Sequence, residues 1–210
     1  MSDHTLTFAI VTCSDTRSMK EDTAGAALET LIAEKGWTCA SHVVVKDERA
    51  DIAAAIVAAC DELDADIVLT CGGSGLSLRD VTPEATMDVC ERNVPGIAEA
   101  MRAHSLAITP YAMLSRALCM QRGRHLVINL PGSEKAAREH WDGIVAALPH
   151  AAKMMAGGGH CGSWALVAGR QPGPVAAGRL LLEPHGQMQL VELHAGDEHG
   201  GQQQQRSCSA

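Results

Sequence analysis

Aromatic residues are nearly missing from this chain of 210 residues: three Trp, one Tyr and one Phe make up 2% of it. Apolar residues nonetheless reach 46%. One sizeable core must then be built from Ala, Val, Ile, Leu and Met, which suits helices packed closely on a sheet through alanine faces. No apolar run approaches the length of a bilayer span, and no basic-then-apolar leader is recognisable, so a cytoplasmic protein is expected. Positive charge is in short supply: 17 Lys and Arg against 25 Asp and Glu leave a net charge of −8. That balance argues against nucleic acid or an anionic membrane as the main partner. Metal-ligand spacings are absent too. The 8 cysteines form no C-x-x-C pair and the 10 histidines no H-x-x-x-H pair, so a dedicated transition-metal site is not expected. The thiols are scattered in apolar surroundings and read as reduced, buried small hydrophobes, not as a disulfide framework. There is no internal repeat.

What is present is concentrated between Thr70 and Ala85, T-C-G-G-S-G-L-S-L-R-D-V-T-P-E-A. Asp66 to Thr70 reads as a short buried strand. Gly72, Gly73 and Gly75 let the backbone turn and offer bare N–H groups. Thr82 is expected to cap a helix with Pro83 at its first position and Glu84 where the helix dipole favours an acid. Strand, glycine loop and helix start together can hold an anion, often a phosphate. The run is not a P-loop, because no Lys and Ser/Thr follow its last Gly. It is not the dinucleotide fingerprint either, because Leu78 stands where a third Gly is required. Nor does Gly73-Ser74-Gly75 supply the G-x-S-x-G context of a Ser/His/Asp hydrolase.

Further strands are expected at Leu6 to Thr12, Ser41 to Lys46 and His125 to Leu130. Helices are expected after Asp22 or Thr23, after Asp51 as cap, over 97–106, over 110–119, after Ser133 as cap, and from Pro149 to the Gly157 run. Strands that alternate with helices predict a parallel sheet covered on both faces. Ligands of such sheets lie beyond the carboxyl ends of the strands. Four segments fall there: Ser14 to Ser18, Asp47, the glycine loop with Arg79 and Asp80, and Pro131-Gly132-Ser133. Beyond residue 157, two apolar runs, 178–183 and 188–193, are expected to pair as a hairpin, and the Gln-rich end reads as disordered. His160, Cys161 and the histidines of the tail are candidates for adventitious metal binding only.

Each candidate has a plain structural reading beside the functional one. Asp80 suits a carboxylate holding Mg²⁺ against a phosphate, or an acid bonded to the amides of a helix start. Asp47, just past a strand end, suits the same metal role or an ordinary loop acid. Gly72, Gly73, Ser74 and Gly75 suit a phosphate cradle or a tight turn. Gly132 and Ser133 suit a second anion site or a plain helix cap.

The run from Thr70 to Ala85 resembles the T-G-G-T-G-x-x-x-R-D-V-T-P-E-A signature of the MogA/MoaB family of molybdenum-cofactor proteins. Ser14-Asp15-Thr16-Arg17 with Asp22 and Gly25 is similar to the family's S-D-x-R…D-x-x-G segment. Pro95-Gly96, Met101-Arg102, Leu114-Ser115-Arg116 and Leu130 to Lys135 resemble its P-G-x, M-R, L-S-R and L-P-G-x-x-K segments. The likeness spans roughly residues 6 to 157. It implies a three-layer αβα domain over 1–157 with a mostly parallel central sheet, followed by a C-terminal extension over 158–210. It also implies an enzyme: Mg²⁺-dependent adenylylation of molybdopterin by ATP with release of pyrophosphate. Asp80 and Asp47 would be the catalytic and metal-holding acids. Gly72, Gly73, Ser74, Gly75, Arg79, Ser14, Asp15, Gly132 and Ser133 would bind substrate. Family members are trimers or hexamers, so a homo-oligomer is implied. Two departures stand out: Cys71 replaces the first Thr of the signature, and Lys46 replaces the Pro before Asp47. The competing readings are a non-catalytic MoaB-type pterin-binding or carrier protein, towards which the S-D-T-R opening leans, and a sulfur or redox protein using Cys71.

Overall fold

The computed structural model describes residues 5–157, 178–182 and 188–192. The chain divides into two units, Met1–Cys161 and Gly162–Ala210. In the first, apolar residues on alternate sides of each strand build two cores. Four parallel strands form the centre: β1 (Thr7–Cys13), β2 (Thr38–Val45), β3 (Ile67–Cys71) and β6 (His125–Leu130), in the order β2-β1-β3-β6. Phe8, Ile10, Ile67, Leu69, Ile128 and Leu130 point to one face. There they meet α1 (Thr23–Glu34), α4 (Pro95–Leu106), α5 (Glu134–Ile144) and α6 (Leu148–Met155) through Leu28, Ile32, Met101, Trp141 and Leu148. Ala9, Val11, Val68 and Val127 point to the other face and meet α2 (Arg49–Val57) and α3 (Thr82–Val89) through Ile52, Ile56 and Ala85. The result is the expected three-layer αβα arrangement, set by the two-residue period of the strands.

Three of the few aromatics gather in one place: Phe8 stacks on Trp37 at 5.4 Å between ring centres and lies 5.9 Å from Trp141. The start of α1 is fastened from inside. The Asp22 carboxylate caps it by accepting from the Gly25 amide (3.0 Å), accepts from the Thr12 hydroxyl (2.5 Å), and pairs with His42 of β2 (2.8 Å).

The structure corrects three local expectations. Asp51 does not cap α2: the helix begins at Arg49, the Ile52 amide bonds to the Glu48 carbonyl, and Asp51 sits within the first turn, where the dipole favours an acid. Thr82 does not cap α3. Val81 holds that position, and the Thr82 hydroxyl instead donates to the Gly72 carbonyl (2.9 Å). The helix expected over 110–119 is only a short 3₁₀ turn, Pro110–Leu114. From there the chain bends back, with the Arg116 amide on the Ser74 carbonyl (2.9 Å), and forms β5 (Cys119–Arg122). β5 runs antiparallel to β6, and the short β4 (Arg92–Asn93) runs antiparallel to β5. These two strands make the sheet mixed at one edge.

In the second unit, β7 (Gly178–Leu182) pairs antiparallel with β8 (Met188–Glu192). The turn between them, the Gln-rich end, and His160, Cys161 and the tail histidines lie outside the described residues.

Candidate active site

The carboxyl ends of β1, β3 and β6 open onto a cavity of about 510 Å³. Cys13, Ser14 and Arg17 line it from the β1 loop, Gly72 to Gly75 and Asp80 from the β3 loop, and Pro131 and Gly132 from the β6 loop. The three turns are locked to one another by hydrogen bonds onto main-chain carbonyls. The Gly72 amide donates to the Leu130 carbonyl (3.0 Å), and Arg17 donates to the Gly132 carbonyl (2.6 Å). Gly72 has φ +102°, and a Cβ there would lie 2.5 Å from the Cys13 carbonyl oxygen, so both its conformation and its space require glycine. Beneath the loop, the buried Asn129 amide donates to the Thr70 and Thr86 hydroxyls (2.9 Å each) and its oxygen accepts from the Leu118 amide (3.2 Å). This polar knot is satisfied and holds β3, β6 and α3 in register.

The glycine loop divides its donors. Gly72 gives its amide to Leu130 and Gly75 gives its amide to Asp80 (2.9 Å). Among the described residues no acceptor takes the amides of Gly73 and Ser74, so these two are left for an anion. Asp80 combines both roles open to it: Oδ2 accepts from Gly75 and Ser77, while Oδ1 has no protein donor among the described residues. Arg116 clamps the loop from outside, donating to the carbonyls of Gly75 (2.7 Å) and Asp80 (2.5 Å) and pairing with Glu84. In the sequence this residue is marked only by the L-S-R match, which is the one signal that could have found it.

Asp47 lies on the far side of the loop. Its Oδ2 accepts from the Asp15 amide (3.0 Å), and its own amide donates to the Asp15 carboxylate (3.2 Å). Its Oδ1 is buried without a hydrogen-bond partner among the described residues, 3.2 Å from where a Cβ on Gly73 would stand. Burial pushes the Asp47 carboxyl above its ordinary value, and the negative charges of Asp15 and Asp80 push the same way. Two acids whose charges feel each other, one with an orphaned buried oxygen and one with a spare oxygen, form a donor set that fits a hard divalent cation completed by phosphate oxygens. Arg79 turns away from the cavity and pairs with Asp15 (2.7 Å) and Glu48 (3.0 Å). The Ser133 hydroxyl accepts from the Ala136 amide (3.3 Å), the plain cap of α5. Ser14 accepts from the amides of Thr16 and Arg17, which shapes its own turn. Cys71 is fully buried in β3, and burial raises its thiol far above the ordinary value. This overturns the redox reading, since the thiolate is the reactive form.

A glycine loop with open amides, two acids and three converging strand ends place this chain among α/β proteins whose candidate site lies at the carboxyl edge of the sheet. Residues 9–150 match the family described as a probable molybdopterin binding domain. A molybdopterin adenylyltransferase of Helicobacter pylori is 36% identical over 157 residues, 73% of this chain and 89% of that protein. Molybdenum cofactor biosynthesis protein B of Bacillus anthracis is 41% identical over 131 residues, 61% of this chain and 78% of that one. The crystal structure of the molybdopterin biosynthesis enzyme MoaB of Thermus thermophilus superposes with a TM-score of 0.67 at 39% identity, covering 72% of this chain and 97% of that chain. The chain belongs to this family of molybdenum cofactor biosynthesis proteins.

Proposed function

We propose that the protein is a molybdopterin adenylyltransferase. In the reaction an oxygen of the anionic pterin attacks the α-phosphorus of ATP, the bond to the β-phosphate breaks, and pyrophosphate leaves. The chemical problem is to bring two anions together and spread the charge that develops, which is a matter of positioning and electrostatics. The Gly73 and Ser74 amides hold phosphate oxygens, and the Ser74 hydroxyl joins them. Gly132, packed against Gly72 just before α5, and Ser14 border the same cavity. Asp15 and Arg79 form an ion pair that keeps Asp47 in place from behind. Asp47 and Asp80 would hold Mg²⁺, which when bound supplies charge neutralisation at the phosphates. The observation that carries this reading is the buried, unpartnered Oδ1 of Asp47 beside a loop with two open amides.

The similarity to the H. pylori adenylyltransferase supports catalysis over a carrier role, and so does the presence of both acids. The catalytic domain is residues 1–157, with 158–210 as an extension. The protein works in the cytoplasm, where ATP is supplied, as a homotrimer or homohexamer. The exposed apolar side chains of Leu76, Leu78, Tyr111 and Met113 support self-association.

The test is to mix the protein with ATP, Mg²⁺ and molybdopterin and follow pyrophosphate. Asp80→Asn is expected to keep the fold and pterin binding while turnover falls on the order of 10²-fold or more, the scale of losing one electrostatic contact to the transition state. Pterin binding without pyrophosphate in the unaltered protein assigns it the carrier role.

A further inference from the structure

The hairpin of the second unit lies beyond residues 9–150, the part of the chain that matches the family. Its two strands have five residues each. A two-stranded hairpin of that size is marginal on its own in water, whereas three or more strands with an apolar face hold together. The register Leu180↔Leu190 and Leu182↔Met188 places four apolar residues on one face. Arg179, Leu181, Gln189 and Val191 belong to the other face. Among the described residues β7 pairs with β8 alone, so its second edge offers main-chain groups to a further strand. Leu180-Leu181-Leu182 holds no charge or proline that would guard that edge.

We infer that β7 pairs antiparallel with β7 of a second copy about a two-fold axis at Leu181, joining two hairpins into one four-stranded sheet in the order β8-β7-β7-β8. The residues around the strand select this occupant. An isologous pairing sets residue i against residue j twice, so the edge has to complement itself. Directly opposed residues lie on the same face of a sheet, so the apolar face continues across the axis only when even positions meet even ones. The registers that do this centre on Leu180, Leu181 or Leu182. Centring on Leu180 sets Arg179 against Leu181. Centring on Leu182 draws Pro184 into the ladder, where it has no N–H to give. Centring on Leu181 sets Leu180 against Leu182 and Arg179 against Glu183, opposite charges on both sides of the axis. The inference is independent of the adenylyltransferase reading. It adds an assembly contact outside the catalytic unit, one that couples two of whatever particle that unit forms.

The test is sedimentation of the full chain over a dilution series. The unaltered protein is expected to show the coupled particle and to split into halves on dilution. Glu183→Arg sets Arg against Arg twice, and is expected to split at a concentration about tenfold higher, since two cross-strand pairs turn from attraction to repulsion. The double variant Arg179→Glu with Glu183→Arg restores opposite charges, and is expected to bring the midpoint back to within about threefold of the unaltered protein. The register is read separately with Leu181→Cys, a position that meets its own copy on the axis. Diamide takes up the two electrons and two protons of the thiol pair and is expected to join two chains through position 181. The unaltered protein under the same oxidant accounts for the native thiols, and Leu180→Cys, which faces position 182, is expected to cross-link poorly. The same particle for the unaltered protein and Glu183→Arg at every concentration overturns the inference. So does a double variant that splits as early as Glu183→Arg, or a Leu181→Cys chain no more cross-linked than the unaltered protein.

Discussion

Asp22 and Asp47 place the same side chain in opposite situations. Burial opposes the charge of Asp22, but the Gly25 amide, the Thr12 hydroxyl and His42 outweigh it and hold the carboxyl below its ordinary range. A lowered native pKa stabilises above the unfolded value and loses that contribution as pH falls through the native one. Asp22→Asn is therefore expected to cost about 3 kcal/mol at neutral pH, from the cap and the buried pair together. The gap to the unaltered protein should narrow as urea melts are taken down through the carboxylate range. Asp47 has the reverse sign. Its raised carboxyl stabilises when protonated, and that contribution is lost as pH rises through its native value. Asp47→Asn keeps an oxygen for the Asp15 amide and removes the buried charge. Its melting temperature at neutral pH is expected to match or exceed the unaltered protein by about 1–3 °C. The gain should vanish below the carboxylate range, while adenylyl transfer falls. A variant that is more stable and less active marks strain held for function.

At the scale of elements, the loop after β3 depends on one residue far along the chain. Arg116 reaches the Gly75 and Asp80 carbonyls and Glu84 at once, a fork that lysine cannot reproduce. Arg116→Lys is expected to lower turnover about tenfold or more and to speed amide hydrogen exchange at residues 75–80. The elements that carry strong local signals are legible in the sequence: β6, with its apolar run Leu126-Val127-Ile128, and α5, with Ser133 as cap, appear where the residues predict them. β5 is not, because four residues with no period of their own become a strand only by pairing with β6 through the turn at Gly123. The cap expected at Thr82 fails for a related reason. A Thr before Pro is a good cap in isolation, but its hydroxyl is claimed by the Gly72 carbonyl across the loop. The convergence of the three turns follows from strand direction alone. The partners of Arg79, and the fork of Arg116, depend on tertiary contacts that no local pattern encodes.

At the scale of the molecule, every strand end that builds the cavity belongs to the first unit. A chain ending at residue 157 is expected to keep adenylyl transfer within about twofold and its melting temperature within about 3 °C, measured beside the full chain at equal concentration. Loss of activity on that truncation would move the extension into the catalytic unit.

The contact between Gly72 and Gly132, where a Cβ on the latter would stand 3.1 Å from the former's Cα, reaches beyond packing. Two turns seated backbone to backbone leave that jaw no travel. Anion capture there then adds little new order, so little affinity is lost to fixing the turn. Adjustment to the incoming molecule falls to the opposite bank, where Tyr111 stands outermost.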